Sequence, residues 1–74
     1  MQMTKNSFAN FDLQDSGKIK IRLEDIQAIR EINGGGMSRI YTTNHDFDIQ
    51  DSFEDLERLL EQYEREINKN DIPY

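Results

Sequence analysis

Apolar and polar residues alternate over the first two-thirds of the chain, and then the period changes. From Phe8 to Leu13, Ala9, Phe11 and Leu13 fall on one side and Asn10 and Asp12 on the other, the two-residue period of a half-buried strand. Asp15-Ser16-Gly17 follows, a turn signal in which glycine supplies the positive φ of a tight hairpin. Lys18, Lys20 and Arg22 then alternate with Ile19, Ile21 and Leu23, giving a strand with one basic and one apolar face. The two segments predict an antiparallel hairpin.

The stretch from Glu24 to Asn33 supports two readings. Leu23, Ile26, Ile29 and Ile32 recur at steps of three, with acids early and Gly34 at the end, as in a short helix closed by a glycine cap. A strict three-residue step, however, drifts around a helix of about 3.6 residues per turn. The preferred reading is a turn at Leu23-Glu24-Asp25 and a strand from Ile26 to Ile32. Asn33-Gly34-Gly35-Gly36 is a loop, because three successive glycines are costly to order inside an element. Met37 to Thr43 is rich in strand formers. Thr43-Asn44-His45-Asp46 turns the chain, and Phe47 and Ile49, alternating with Asp46, Asp48 and Gln50, predict a short last strand.

At Asp51 the period becomes helical. Phe53, Leu56, Leu59, Leu60, Tyr63 and Ile67 recur at three- and four-residue steps through Asn68 and form one stripe of an α-helix. Asp51 is the expected N-cap, with Glu54 as its capping-box partner. Glu54–Arg58 and Glu61–Arg65 have the favourable i,i+4 order. The expected architecture is α+β: a small antiparallel meander of four or five strands, with one C-terminal amphipathic helix packed on one face. It is read as a single domain over residues 1–74, with 1–7 and 69–74 flexible.

Composition narrows the function classes. Seventy-four residues lie near the lower limit for one self-sufficient core. There is no cysteine, hence no disulfide framework or thiolate metal site. The longest apolar runs are two residues, which gives no membrane span or signal-peptide core and leads to the expectation of a cytoplasmic protein. The net charge of −6 is uneven. Asp51, Glu54, Asp55, Glu57, Glu61, Glu64 and Glu66 face only Arg58 and Arg65 in the helical segment, whereas residues 1–50 hold seven acids and six bases. The helix is therefore the main electrostatic feature, and it repels phosphate.

Candidate chemistry is sparse. Asp46, Asp48, Gln50 and Glu57 occupy positions 1, 3, 5 and 12 of an EF-hand-like loop, but Asp51 stands where that loop needs glycine. His45 is the only histidine, so no multi-histidine metal site exists, and no serine or threonine beside it reads as a nucleophile. The glycine run lacks the Lys-Ser/Thr of a phosphate loop. Neither a catalytic residue nor a metal or other cofactor is expected, and the chain is read as non-enzymatic.

The order GK-I-K-I, EDI-x-x-I-x-E, I-Y-T-T, F-D-I-x-D-S-F-E-D-L-E-x-L-L, from Gly17 to Leu60, resembles two small β-rich families in its hydrophobic spacing. One is the family of swarming-motility and flagellar-accessory proteins, which implies a cytoplasmic accessory protein acting through protein contacts. The other is the LytTR-type DNA-binding domain, which implies DNA binding through basic loops that this acidic chain lacks. Three functional readings follow. The first is a protein-interaction module with Asp51, Glu54, Asp55, Glu57, Glu61 and Glu64 as its partner-binding surface, able also to self-associate through a strand edge. The second is an inhibitor whose acidic helix imitates nucleic acid and occupies a basic nucleic-acid-handling protein. The third, disfavoured by the acidic balance, is a nucleic-acid binder using Lys18, Lys20 and Arg22.

Overall fold

The computed structural model describes residues 3–70, and the side chains of residues 3–68. It is an α+β fold with five strands and one C-terminal helix: β1 (Phe8–Asp12), β2 (Lys18–Arg22), β3 (Ala28–Ile32), β4 (Met37–Tyr41), β5 (Asp46–Ile49) and α1 (Phe53–Asn70). The strands form two antiparallel sheets, the hairpin β1-β2 and the meander β3-β4-β5. A bridge between Leu13 and Ile49 joins them, flanked by hydrogen bonds from the Gln14 amide to the Asp48 carbonyl (3.0 Å) and from the Gln50 amide to the Asp12 carbonyl (2.8 Å). The expected meander is thus split, because the hairpin runs beside β5 only at its Leu13 end.

The alternation read from the sequence sets the faces. Ala9, Phe11, Ile19 and Ile21 point inward from the hairpin, and Ile29, Ile40, Phe47 and Ile49 from the meander. Ile40 and Ile49 are fully buried at the centre, with Phe11, Ile21, Leu23, Leu56 and Tyr63 around them. Leu23–Asp25 forms one 3-10 turn before β3, so the turn-then-strand reading of this stretch holds. Asn33, Gly34 and Gly35 hold φ of 52°, 69° and 95°, and this left-handed run is why the β3-β4 loop needs its glycines. Residues 4–7 belong to the stretch expected to be flexible. They form a turn closed by Ser7 N–H to Thr4 O, and Leu23 N–H donates to Ser7 O. The Met3 amide reaches the Glu66 carboxylate at 3.0 Å. Residues 71–74 of the expected flexible tail, with Met1 and Gln2, lie outside the described residues.

The helix begins at Phe53, not at the expected residue after Asp51. Ser52 is its N-cap, its Oγ accepting from the Asp55 amide at 3.2 Å and its carbonyl from Leu56 at 3.0 Å. A hydroxyl two bonds from the backbone reaches the third helical amide as well as a carboxylate does, and Asp51 is used differently. Its carbonyl accepts a 3.0 Å hydrogen bond from Oγ of Ser38 on β4. Ser38 is fully buried and would be costly there without a partner. The bond ties the helix entry to the central strand.

Candidate functional site

The helix buries Leu56 and Tyr63, half-buries Leu59, Leu60 and Ile67 against the core, and leaves Glu54, Asp55, Glu57, Glu61 and Glu64 exposed, with Glu66 half-buried. At about 100° per residue, Glu54, Glu57, Glu61 and Glu64 fall within an arc of about 80° on one flank. Asp55 lies on the other flank, and Asp51 precedes the helix, half-buried at its entry. The six expected surface acids are therefore divided: four share a flank and two do not. Arg58 joins Glu54 and Asp55, at 3.3 Å to each. The second expected pair is absent: Arg65 does not close on Glu61, and among the described residues Glu57, Glu61 and Glu64 have no ion-pair partner.

A residue not singled out from the sequence extends this flank. Glu31 of β3 faces the helix side of the sheet, in register with buried Ser38. With Glu54 and Glu57 it rims an open cleft of about 570 Å³ whose other walls are Gly34, Gly35 and Phe53. Strand parity with Ile29 was the signal that places Glu31 there.

The basic row Lys18, Lys20 and Arg22 does share the outer face of the hairpin. Phe8 stands on that face too, opposite Arg22 in register and 56% exposed. Its two-residue step from Asn10 was the signal available in the sequence. Acids interrupt the row: Lys18 lies opposite Asp12, and Arg22 pairs with Asp25 at 3.2 Å. Arg39 is the most strongly held base, its fork taking both oxygens of Asp48 across the strand pair (2.6 and 3.2 Å). Those bonds raise the Arg39 pKa and hold the Asp48 carboxyl below its ordinary 3.8. Arg30 sits opposite Arg39 on the same face. Burial raises the Tyr63 phenol above its ordinary value.

The remaining candidates do not converge. Of the EF-hand-like set, Asp48 is bound to Arg39, Gln50 donates its side-chain amide to the Leu13 carbonyl at 2.9 Å, and Glu57 is on the helix. Among the described residues no group of three or more His, Cys, Asp or Glu is arranged to hold a metal. His45 is exposed in the β4-β5 turn, tilted against Phe47 with ring centres 6.1 Å apart. No described helix is long and apolar enough to cross a membrane. No family model, curated protein or solved structure matches the chain, so the resemblance in spacing carries no further argument.

Proposed function

We propose that this chain is a non-enzymatic protein-interaction module that docks its acidic helix flank on a basic surface of a partner protein. The observation that carries this reading is the flank itself: Glu54, Glu57, Glu61 and Glu64 in one arc, extended by Glu31, with no ion-pair partner for Glu57, Glu61 or Glu64 among the described residues. Charge of one sign on a rigid element steers association and selects a complementary partner. In its sharper form the flank stands in for phosphates on a nucleic-acid-handling protein. The rival basic face has less to offer, since Arg22 and Arg39 already have acids.

The test is affinity capture from the host lysate at low and high salt, comparing wild type with a Glu57→Lys, Glu61→Lys, Glu64→Lys variant. A basic partner held by wild type only at low salt, and lost by the variant, is the expected result. Displacement of that partner by added nucleic acid identifies the sharper form. Equal capture by both proteins at both salts places the binding surface elsewhere.

A further inference from the structure

We propose that Asn33 is a site of self-modification, where the Gly34 amide closes a succinimide that water opens to an aspartyl or isoaspartyl residue. The chemistry needs no partner. Asn33 and Gly34 are the one Asn-Gly pair in the chain, and they stand together in the β3-β4 loop with Asn33 exposed. Glycine leaves the attacking nitrogen unshielded, and a Cβ built at Gly34 would meet nothing within 4 Å. The left-handed run through Asn33, Gly34 and Gly35 has no side chain beyond Asn33 to resist rotation, so the loop can bring the nitrogen onto the carboxamide.

Hydrogen bonding separates Asn33 from the other asparagines whose side chains are described. Behind Asn6 the amide that would have to attack is already a donor, Ser7 N–H reaching the Thr4 carbonyl at 3.0 Å. Behind Asn44 the same holds, His45 N–H reaching Thr42 Oγ1 at 3.3 Å. Asn10 lies in the β1-β2 ladder and Asn68 inside α1. The Gly34 amide donates no hydrogen bond among the described residues. The Asn33 carboxamide donates through Nδ2 to the Met37 thioether at 3.1 Å, a weak acceptor and a loose tether.

The Gly34 nitrogen bonds to Cγ of Asn33 and gives up its proton, and the Cγ–Nδ2 bond breaks with release of ammonia. Water then opens the ring at Cγ, giving aspartate, or at the backbone carbonyl carbon, giving isoaspartate with the main chain rerouted through Cβ and Cγ. Nothing is oxidised or reduced. Either product makes the net charge of −6 one unit more negative. The new carboxylate arises close to Glu31, whose Oε2 lies 3.5 Å from a Cβ built on Gly35.

Ageing the folded protein at neutral and at mildly alkaline pH, then mapping its peptides by chromatography and mass spectrometry, tests the proposal. Conversion at Asn33 should outpace that at Asn6 and Asn44 several-fold and should quicken with pH, because the Gly34 nitrogen attacks as its anion. The converted chain should focus to the acidic side of the fresh one, level with Asn33→Asp. Gly34→Ala, which shields the nitrogen, and Asn33→Gln, whose longer side chain disfavours the ring, should each suppress the conversion, with unchanged far-ultraviolet circular dichroism as the control for folding. An Asn33 that stays intact, conversion at Asn6 or Asn44 at an equal rate, or conversion undiminished in Gly34→Ala would each overturn the assignment.

Discussion

The outer face of the sheet and the flank of the helix are both charged, but they dispose of charge in opposite ways. Across the strands, Arg39 meets Asp48 and Lys18 meets Asp12, and Arg22 turns onto Asp25 just beyond its strand. On the helix, Arg58 serves Glu54 and Asp55, and the remaining flank acids have no base among the described residues. A strand's lateral neighbours come from another segment, so an acid can be placed opposite each base. A helix residue's neighbours are its own i±3 and i±4 positions, and a run of glutamates there has chiefly other glutamates beside it. On the sheets Arg22 and Arg39 are paired with acids, while on the helix Glu57, Glu61 and Glu64 have no base among the described residues.

This contrast holds only while the helix is pinned to the sheet. Leu56, fully buried between them, is the strongest point of attachment. Leu56→Ala should cost about 2–5 kcal/mol in urea unfolding, a large share of the ~5–15 kcal/mol typical of a whole domain. A loss below about 1 kcal/mol would show that the helix is held in some other way. Smaller and more local is the cap. Ser52→Ala should cost about 0.5–2 kcal/mol, while Asp51→Ala, which keeps the carbonyl that Ser38 uses, should change stability little. The reverse order would restore Asp51 as the capping residue.

That misplaced cap marks where the chain was legible and where it was not. The helix stripe, the inward Phe11 and Ile21, and the basic parity of β2 all follow from period, which a single sequence displays. Asp51 and Ser52 are both good caps, and choosing between them required knowing that buried Ser38 reaches back to the Asp51 carbonyl. Partners brought together from distant segments are invisible in the same way. Arg39 with Asp48 depends on register, and the amide of Met3 on Glu66 depends on the helix crossing back over the N-terminus. Arc position on the helix could be computed beforehand. That Glu31 would join it from β3 depended on resolving the strand-or-helix reading of residues 24–33.

The sheet side of the contrast has a signature in pH. The Arg39 hydrogen bonds lower the Asp48 pKa in the folded state, so this carboxylate contributes stability that is present above its unfolded value and lost as pH falls through the folded one. The window lies below about pH 4, given an ordinary aspartate value of ~3.9. Asp48→Asn should be less stable than wild type at pH 7, with the two converging in acid. The urea midpoint at each pH checks this, and parallel curves would remove the pair as a contributor.

The helix side should answer mutation with the opposite sign, and with the smallest effect. Glu57 has Glu54 three residues before it and Glu61 four after, and each like-charge pair costs about 0.2–0.5 kcal/mol at low salt. Glu57→Lys replaces repulsion by attraction on both sides, so the variant should be slightly more stable than wild type, and added salt should erase the gain. Arg39→Glu, the corresponding reversal on the sheet, should destabilise by leaving Asp48 against a like charge. If Glu57→Lys gains stability yet weakens partner capture, the chain is tolerating self-repulsion for the sake of a surface that others bind, a familiar exchange of stability for function. If it loses stability, some base already compensates the flank, and the contrast between the two regions collapses.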